Sequence, residues 1–469
     1  MNIWLLILVP IYVSVLLSLA FYTKRRTKNA NDYMMAGSNI GSVLGLMTFA
    51  ATLFSTFTLM GMPDFFRVHG ITAWIFLAVS DGGMVFLIVW FGYYLRKKVA
   101  QKGYDGLSGL MHTCYENKWA GYVYFFGAFI FLIPYVAIQI RGVSIFLTSI
   151  FPELLSSWVW ACLIVTVMLI YSEIGGLKGI MYADFMQGTI LLITVWIIAV
   201  NCISFFGGVD EMFRQVESTN PALLSAPGPK GLFNVHFLIS SFLAILLIPV
   251  TQPQLTTRLV VMKSLKATHT MAVAVGFFAI MVILPTVAIG MYGAVRYPDA
   301  STSDFLTRVL LFDQPAVVAA ITVIGLIAAA LSTSDSQIFA LGTEFRSTQK
   351  GSDKKLMLRV RLALVFFAVA ALVFSILSSN QLVLLARVSF AGTSLMAPMI
   401  FAAILSSKPP AFEIVVLTFA SLLIFVASLF GLLPAVLAGL RIETFLLLCL
   451  SLVVLVLMFY RKTPGVIND

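Results

Sequence analysis

Apolar runs alternate with short polar stretches along the whole chain. Thirteen runs fall at about 3–22, 42–63, 72–95, 120–148, 157–172, 179–206, 234–250, 269–295, 314–343, 360–378, 382–405, 411–432 and 442–460. A helix needs about 20 apolar residues to cross the hydrocarbon core of a bilayer. The pattern predicts an all-α membrane protein of about 13 transmembrane helices, the longer runs tilting or extending past the bilayer. Basic residues gather in alternate loops: Lys24–Lys28, Arg96–Lys98 with Lys102, Arg258–Lys266, Arg346–Arg361 and Arg461–Lys462. Loops rich in Lys and Arg stay in the cytoplasm. The expected orientation therefore has the N-terminus outside and the C-terminus inside. The mixed loop Gly207–Phe233 and the polar stretch 297–313 then lie outside. Residues 3–21 precede the basic cluster instead of following one, which is the order of a retained first span rather than a cleaved signal peptide.

Composition narrows the class. Of 469 residues, 60% are hydrophobic and 11% charged, against about 25% charged in soluble domains. The net charge of +10 sits in short loops, so it describes topology and not a nucleic-acid face. The four cysteines are scattered without a CxxC and read as small apolar residues or free thiols. No two of the four histidines are spaced i, i+4, so no transition-metal site is expected. No constellation of catalytic side chains stands out, and an enzyme is not expected.

Two features interrupt the apolar pattern. The stretch Ala328–Phe339, AAALSTSDSQIF, holds six consecutive polar side chains from Ser332 to Gln337. Ser332, Asp335 and Ser336 share a helix face at i, i+3 and i+4. The preceding alanines admit a close neighbouring helix. A carboxylate at this depth is costly without a partner. Hydroxyl oxygens with one negative charge suit a small hard cation. The plainer reading is that the hydroxyls bond carbonyls of their own helix and bend it. The second feature is a pair of broken runs. The second run has Gly61 and Pro63 after Thr52, Ser55, Thr56 and Thr58; the seventh has Pro249 and Pro253 among Thr251, Gln252 and Gln254. They open two five-span sets, runs 2–6 and 7–11. Discontinuous helices at matching places in two halves point to a transporter's midplane site, although Gly and Pro are common in membrane helices generally.

Four ordered segments carry a family resemblance: KRRTKNANDYMMAGSNIG (24–41), GGLKGIMYADFMQG (175–188), TQPQLTTRLVVMKSLKAT (251–268) and AAALSTSDSQIF (328–339). Together they resemble the sodium:solute symporter family, which holds sodium/proline, sodium/pantothenate, sodium/sialic acid and sodium/glucose cotransporters. The resemblance spans roughly residues 1–460. It implies the leucine-transporter fold in one domain: an extra first span (3–22), two inverted five-helix repeats (42–206 and 234–405) and two C-terminal spans (411–460). It also implies a sodium site made by the carbonyls of Ala51, Phe54 and Ala329 and the hydroxyls of Ser332 and Thr333. Unwound backbone inside a membrane leaves carbonyls that a cation can take up. Some members hold a second sodium at positions matching Asp184, Ser332, Asp335 and Ser336. Asp335 stands where some of those members have serine. It could strengthen a sodium site, carry a proton, or pair with Arg141 or Lys178. Asp184 reads equally as a structural charge at the inner mouth.

The resemblance places solute contacts on spans two and four, at Ser55, Thr58, Tyr135, Gln139 and Arg141. Tyr135 and Gln139 share a face at i, i+4. Arg141 can hold a carboxylate bidentately; otherwise it pairs with Asp184 or Asp335, or snorkels outward. Arg387 reads as a snorkelling residue. The expected protein is a sodium-driven symporter in the bacterial cytoplasmic membrane. It imports a small polar solute, a carboxylate if Arg141 recognises it, by alternating access. Its partners are the solute, the sodium ion and the lipid bilayer, with no nucleic acid, and one copy can suffice. The alternatives are a proton-coupled symporter of the same fold and a membrane solute sensor.

Overall fold

The computed structural model describes residues 2–25, 30–349, 353–378 and 382–460. Arg26, Lys28, Arg461 and Lys462 of the basic clusters lie outside the described residues, as does part of the Arg346–Arg361 cluster. The chain is helical almost throughout; a short exposed hairpin, Val436–Leu437 with Leu440–Arg441, is the exception. The principal helices are α1 (Asn2–Lys24), α2 (Ser42–Leu53), α3 (Met62–His69), α4 (Ala73–Lys102), α5 (Leu107–Tyr115), α6 (Lys118–Ile150) and α7 (Ser157–Phe206). They continue with α8 (Val235–Leu246), α9 (Ile248–Thr251), α10 (Pro253–Val260), α11 (Leu265–Arg296), α12 (Ala316–Ser347) and α13 (Asp353–Leu377). The last four are α14 (Leu382–Ser394), α15 (Ala397–Leu405), α16 (Phe412–Leu429) and α17 (Ile442–Tyr460).

Every apolar run contains a helix, but not all are long enough to span. Among the described residues ten helices are long and apolar enough to cross a membrane, and eleven if the bent pair α2–α3 counts as one span. Ser157–Ile170 and Val235–Leu246 are shorter apolar helices. These two lie in the fifth and seventh runs, so ten or eleven of the thirteen expected spans meet the length and composition of a crossing helix. The reason is local. Pro249 and Pro253 lack the amide that would continue the seventh run, so it divides into α8, α9 and α10. The fifth and sixth runs join as α7, interrupted at Gly176 with φ 58°. Glycine takes that conformation without strain, and a Cβ there would meet Tyr33 at 2.7 Å. The two anticipated outer loops do carry short helices, Val209–Thr219 and Thr302–Thr307.

The outward faces are apolar, as in a protein solvated by lipid: Leu6, Phe86, Phe366 and Leu452 are all exposed, Phe86 by 79%. The centre is α12, buried from Ala319 to Glu344 on most positions and packed against α1, α2, α6, α7, α10 and α13. On the basic face several ties converge. Arg96 donates to the carbonyls of Leu259 and Val260, which finish α10, and of Met262 just beyond it. Tyr104 bonds Thr257 of α10 at 3.1 Å. Glu344, at the end of α12, accepts from the Leu107 and Ser108 amides at 2.8 and 2.6 Å. A carboxylate there satisfies two free amides and the positive end of α5 together. Glu344→Ala is therefore expected to cost about 1–3 kcal/mol, read as a lower Tm in detergent. Glu344→Gln keeps an acceptor and should lose less; equal losses would show that the carboxylate does not cap α5.

Candidate functional site

The break between α2 and α3 is a matter of where its backbone bonds go. The two halves meet at 56°. Phe54 leaves the helix with φ −92° and ψ 120°. In an unbroken helix the Ser55 amide would bond Ala51 O, and the Thr58 amide Phe54 O. Here the Ser55 amide turns to Thr58 Oγ1 at 3.1 Å and the Thr58 amide to Ser55 O at 2.8 Å. The carbonyls of Ala51 and Phe54 have lost those helical donors. Two side chains of α6 take up the neighbouring groups. Tyr135 donates to Leu53 O at 3.0 Å, and Gln139 Oε1 accepts from the Thr56 amide at 3.1 Å. Gly142 lets α6 come this close, since a Cβ there would lie 2.3 Å from Thr56 Cγ2. The break in the seventh run has nearly the same geometry. Gln252, after α9, has φ −97° and ψ 119°, and Thr251 O accepts from Tyr124 of α6 at 2.9 Å.

The freed Ala51 carbonyl meets α12. Ser332 and Thr333 donate to it at 3.1 and 3.2 Å. Ligand oxygens about 2.4 Å from a small cation would stand about this far apart at right angles. Ala329 is one turn before Thr333 and buried, and Phe54 lies three residues beyond Ala51. The broken backbone and the paired hydroxyls thus face each other.

Beside them lies a buried ion pair. Asp184 of α7 accepts from Ser332, Thr48 and Arg258 Nη2, the last at 3.0 Å. Arg258 is 1% exposed. Its Nη2 also donates to Ser336 at 2.6 Å, its Nε to Thr48 Oγ1 at 2.9 Å, and its Nη1 to Gln254 O at 2.8 Å. Thr52 donates to Ser336 at 3.2 Å. One guanidinium therefore joins α2, α7, α10 and α12. At the opposite end of the broken span, Arg67 donates to Asp64 and to the carbonyls of Tyr297 and Pro298. A cavity of about 420 Å³ opens there, lined by Gly61, Asp64, Arg67, His69, Lys230 and Val383 among others.

With this geometry in hand the chain can be set against known proteins. The profile described as "Sodium:solute symporter family" matches residues 33–408, most of the chain. The chain belongs to the sodium:solute symporter family. The sodium/pantothenate symporter of Haemophilus influenzae is 24% identical over 360 residues, covering 74% of this chain and 72% of that protein. The osmoregulated proline transporter OpuE of Bacillus subtilis is 23% identical over 418 residues, covering 84% and 82%. A sodium-coupled sialic acid symporter, solved in a substrate-bound outward-open state, superposes with a TM-score of 0.78 at 17% identity over 95% of this chain and 94% of that one. The shared fold is that of the transporter, in agreement with the leucine-transporter expectation at that level.

Against this sodium:solute symporter frame the expected residues divide. Ala51, Ser332 and Thr333 come together directly. Asp184, Ser332 and Ser336 also meet, but the positive group between Asp184 and Ser336 is Arg258. Asp335, on the same helix face as Ser332 and Ser336, is buried and acts electrostatically on Tyr12 of α1, whose hydroxyl accepts from Gln187 at 2.9 Å. Asp184 pairs with neither Lys178 nor Arg141. Ser55, Thr58, Tyr135 and Gln139 gather at the break, where they bond its backbone. Arg141 is half-buried and lies ~200° around α6 from Gln139, on a different face. Arg387 is not a snorkelling residue; it pairs with Glu443 and donates to Ser240 and Ser241. Arg258 was missed because it reads as the first residue of a basic loop. The usable signal was Pro253, a favoured first helical position, which carries the helix on past Gln254 to Arg258.

Proposed function

We propose that the chain imports a small polar solute together with sodium, the ion resting on Ala51 O, Phe54 O, Ala329 O, Ser332 Oγ and Thr333 Oγ1. One observation carries this reading: the Ser332 and Thr333 hydroxyls converge on a carbonyl that the broken helix has released. The matching geometry at Phe54 and Gln252 supports two related halves, 42–206 and 234–405, with the solute between their breaks. Tyr135 and Gln139 position the first break. Ser55 and Thr58 line it. The basic face is cytoplasmic, and the first run begins outside. Sodium bridging α2 and α12 favours the conformation that binds solute, so each ligand raises the affinity of the other. Inward movement of each charge then draws about 2.3 kcal/mol per 100 mV from the membrane potential.

The test is thermal unfolding of the purified chain in sodium chloride against potassium chloride at equal ionic strength. Sodium should raise Tm and potassium should not, because a ligand that binds only the folded protein stabilises it. Equal responses to the two salts would sink the assignment.

A further inference from the structure

Inside the membrane-spanning helices Asp184 meets Arg258, Glu344 meets the α5 amides and Glu443 meets Arg387. Asp81, in the middle of α4, is 6% exposed, and its carboxylate has no hydrogen bond or ion pair among the described residues. Its neighbour Ser80 has a buried hydroxyl, also without a hydrogen-bond partner among them. Asp81 lies on the inward stripe of α4 with Leu77, Met84 and Ile88. Its helix packs against α8, α9 and α10, the elements around the second break. Gly83, ~200° around α4 from Asp81, faces Leu246 and Phe242 at the end of α8, where a Cβ would lie 3.4 and 3.5 Å from them. Asp81 also acts electrostatically on Tyr135, whose hydroxyl holds Leu53 O at the first break. The acid is thus on a helix that packs against the second break and within electrostatic reach of a side chain that holds the first. A structural carboxylate at such depth is normally paired. No other acid, and no group of metal-ligating side chains, accompanies it among the described residues.

We infer that Asp81 is the counter-charge for a positively charged nitrogen on the transported solute. This rests on the symport reading and sharpens it: the solute is an amine or quaternary ammonium compound, zwitterionic or cationic, and not a plain carboxylate held by Arg141. The complete purified chain is unfolded thermally in sodium chloride with shape-matched probe pairs. These are L-proline against cyclopentanecarboxylate, and choline against 3,3-dimethylbutan-1-ol. The nitrogen-bearing member of a pair should stabilise and its partner should not. Asp81→Asn should weaken that binding roughly 100-fold, Asp81→Glu should keep most of it, and the shift given by sodium alone should survive in both. Asp81→Asn should also unfold at no lower a temperature than the parent, since it removes a buried carboxyl group that has no partner to lose. Stabilisation by the nitrogen-free partners, or unaltered binding in Asp81→Asn, would overturn the inference. So would loss of the sodium shift in Asp81→Asn, which would make Asp81 an ion ligand. A parent chain without any sodium shift fails the symport reading instead, a distinguishable outcome.

Discussion

The Ser332→Ala, Thr333→Ala double variant is expected to fold, insert and lose its response to sodium. Alanine is the best helix former, and both positions lie within α12, so the helix itself does not suffer. What disappears is two of the five oxygens proposed to hold the ion, both at a carbonyl with no helical donor. The apparent sodium affinity should fall ~100-fold or more, about 3 kcal/mol, with the single variants in between. Sodium titration of Tm reads this directly, and sodium-dependent uptake reads it in cells. A double variant that keeps the parent's sodium titration would place the ion elsewhere.

Arg258→Met is expected to be among the most destabilising single changes in the chain. It leaves the Asp184 carboxylate buried with its charge uncompensated, a loss of about 3–5 kcal/mol for pairs of this kind. Asp184→Asn should cost a similar amount by stranding the guanidinium. Combining Arg258→Met with Asp184→Leu removes both charges at once and should recover most of the loss, because well-packed apolar residues often replace a buried pair without penalty. The cycle is measured by thermal unfolding. Strictly additive losses would mean that the two side chains do not interact, and that the guanidinium does not hold α10 against α2, α7 and α12.

Much of this was legible in the chain because a membrane imposes a simple grammar. Apolar runs give helices, so the sequence located a helix in each of the thirteen runs. Proline and glycine beside polar patches located both breaks. The runs did not say how far each helix would carry on, because Pro249 and Pro253 act on a helix from one side only, and Gly176 joins two runs through a single dihedral. At the site, the run of polar side chains marked the stretch from Ser332 to Gln337, and the family resemblance picked out Ser332, Thr333 and Ala51 within the site. The partners of the charged residues were not legible. Asp184 and Arg258 are 74 residues apart, and no local period connects them. Asp81 escaped notice because an acid flanked by Ser80, Gly82 and Gly83 reads as a dent in an apolar run. The resemblance offered Tyr135 and Gln139 as solute contacts; the sequence shows their common face, but not the backbone groups that they bond across it.

The Ser332 hydroxyl has a further consequence. It owns one hydrogen, and two oxygens stand ready to receive it: Ala51 O and Asp184 Oδ1. A cation settling on its lone pairs, and on the Ala51 carbonyl, leaves the hydrogen only the aspartate to point at. That carboxylate is shared with Arg258, so a stronger hold from one donor changes what the other can draw from it. The rotation of a single O–H bond could thus carry news of the ion's arrival from the broken helix to α10 on the far side of the cluster, with no side chain moving by more than the swing of one proton.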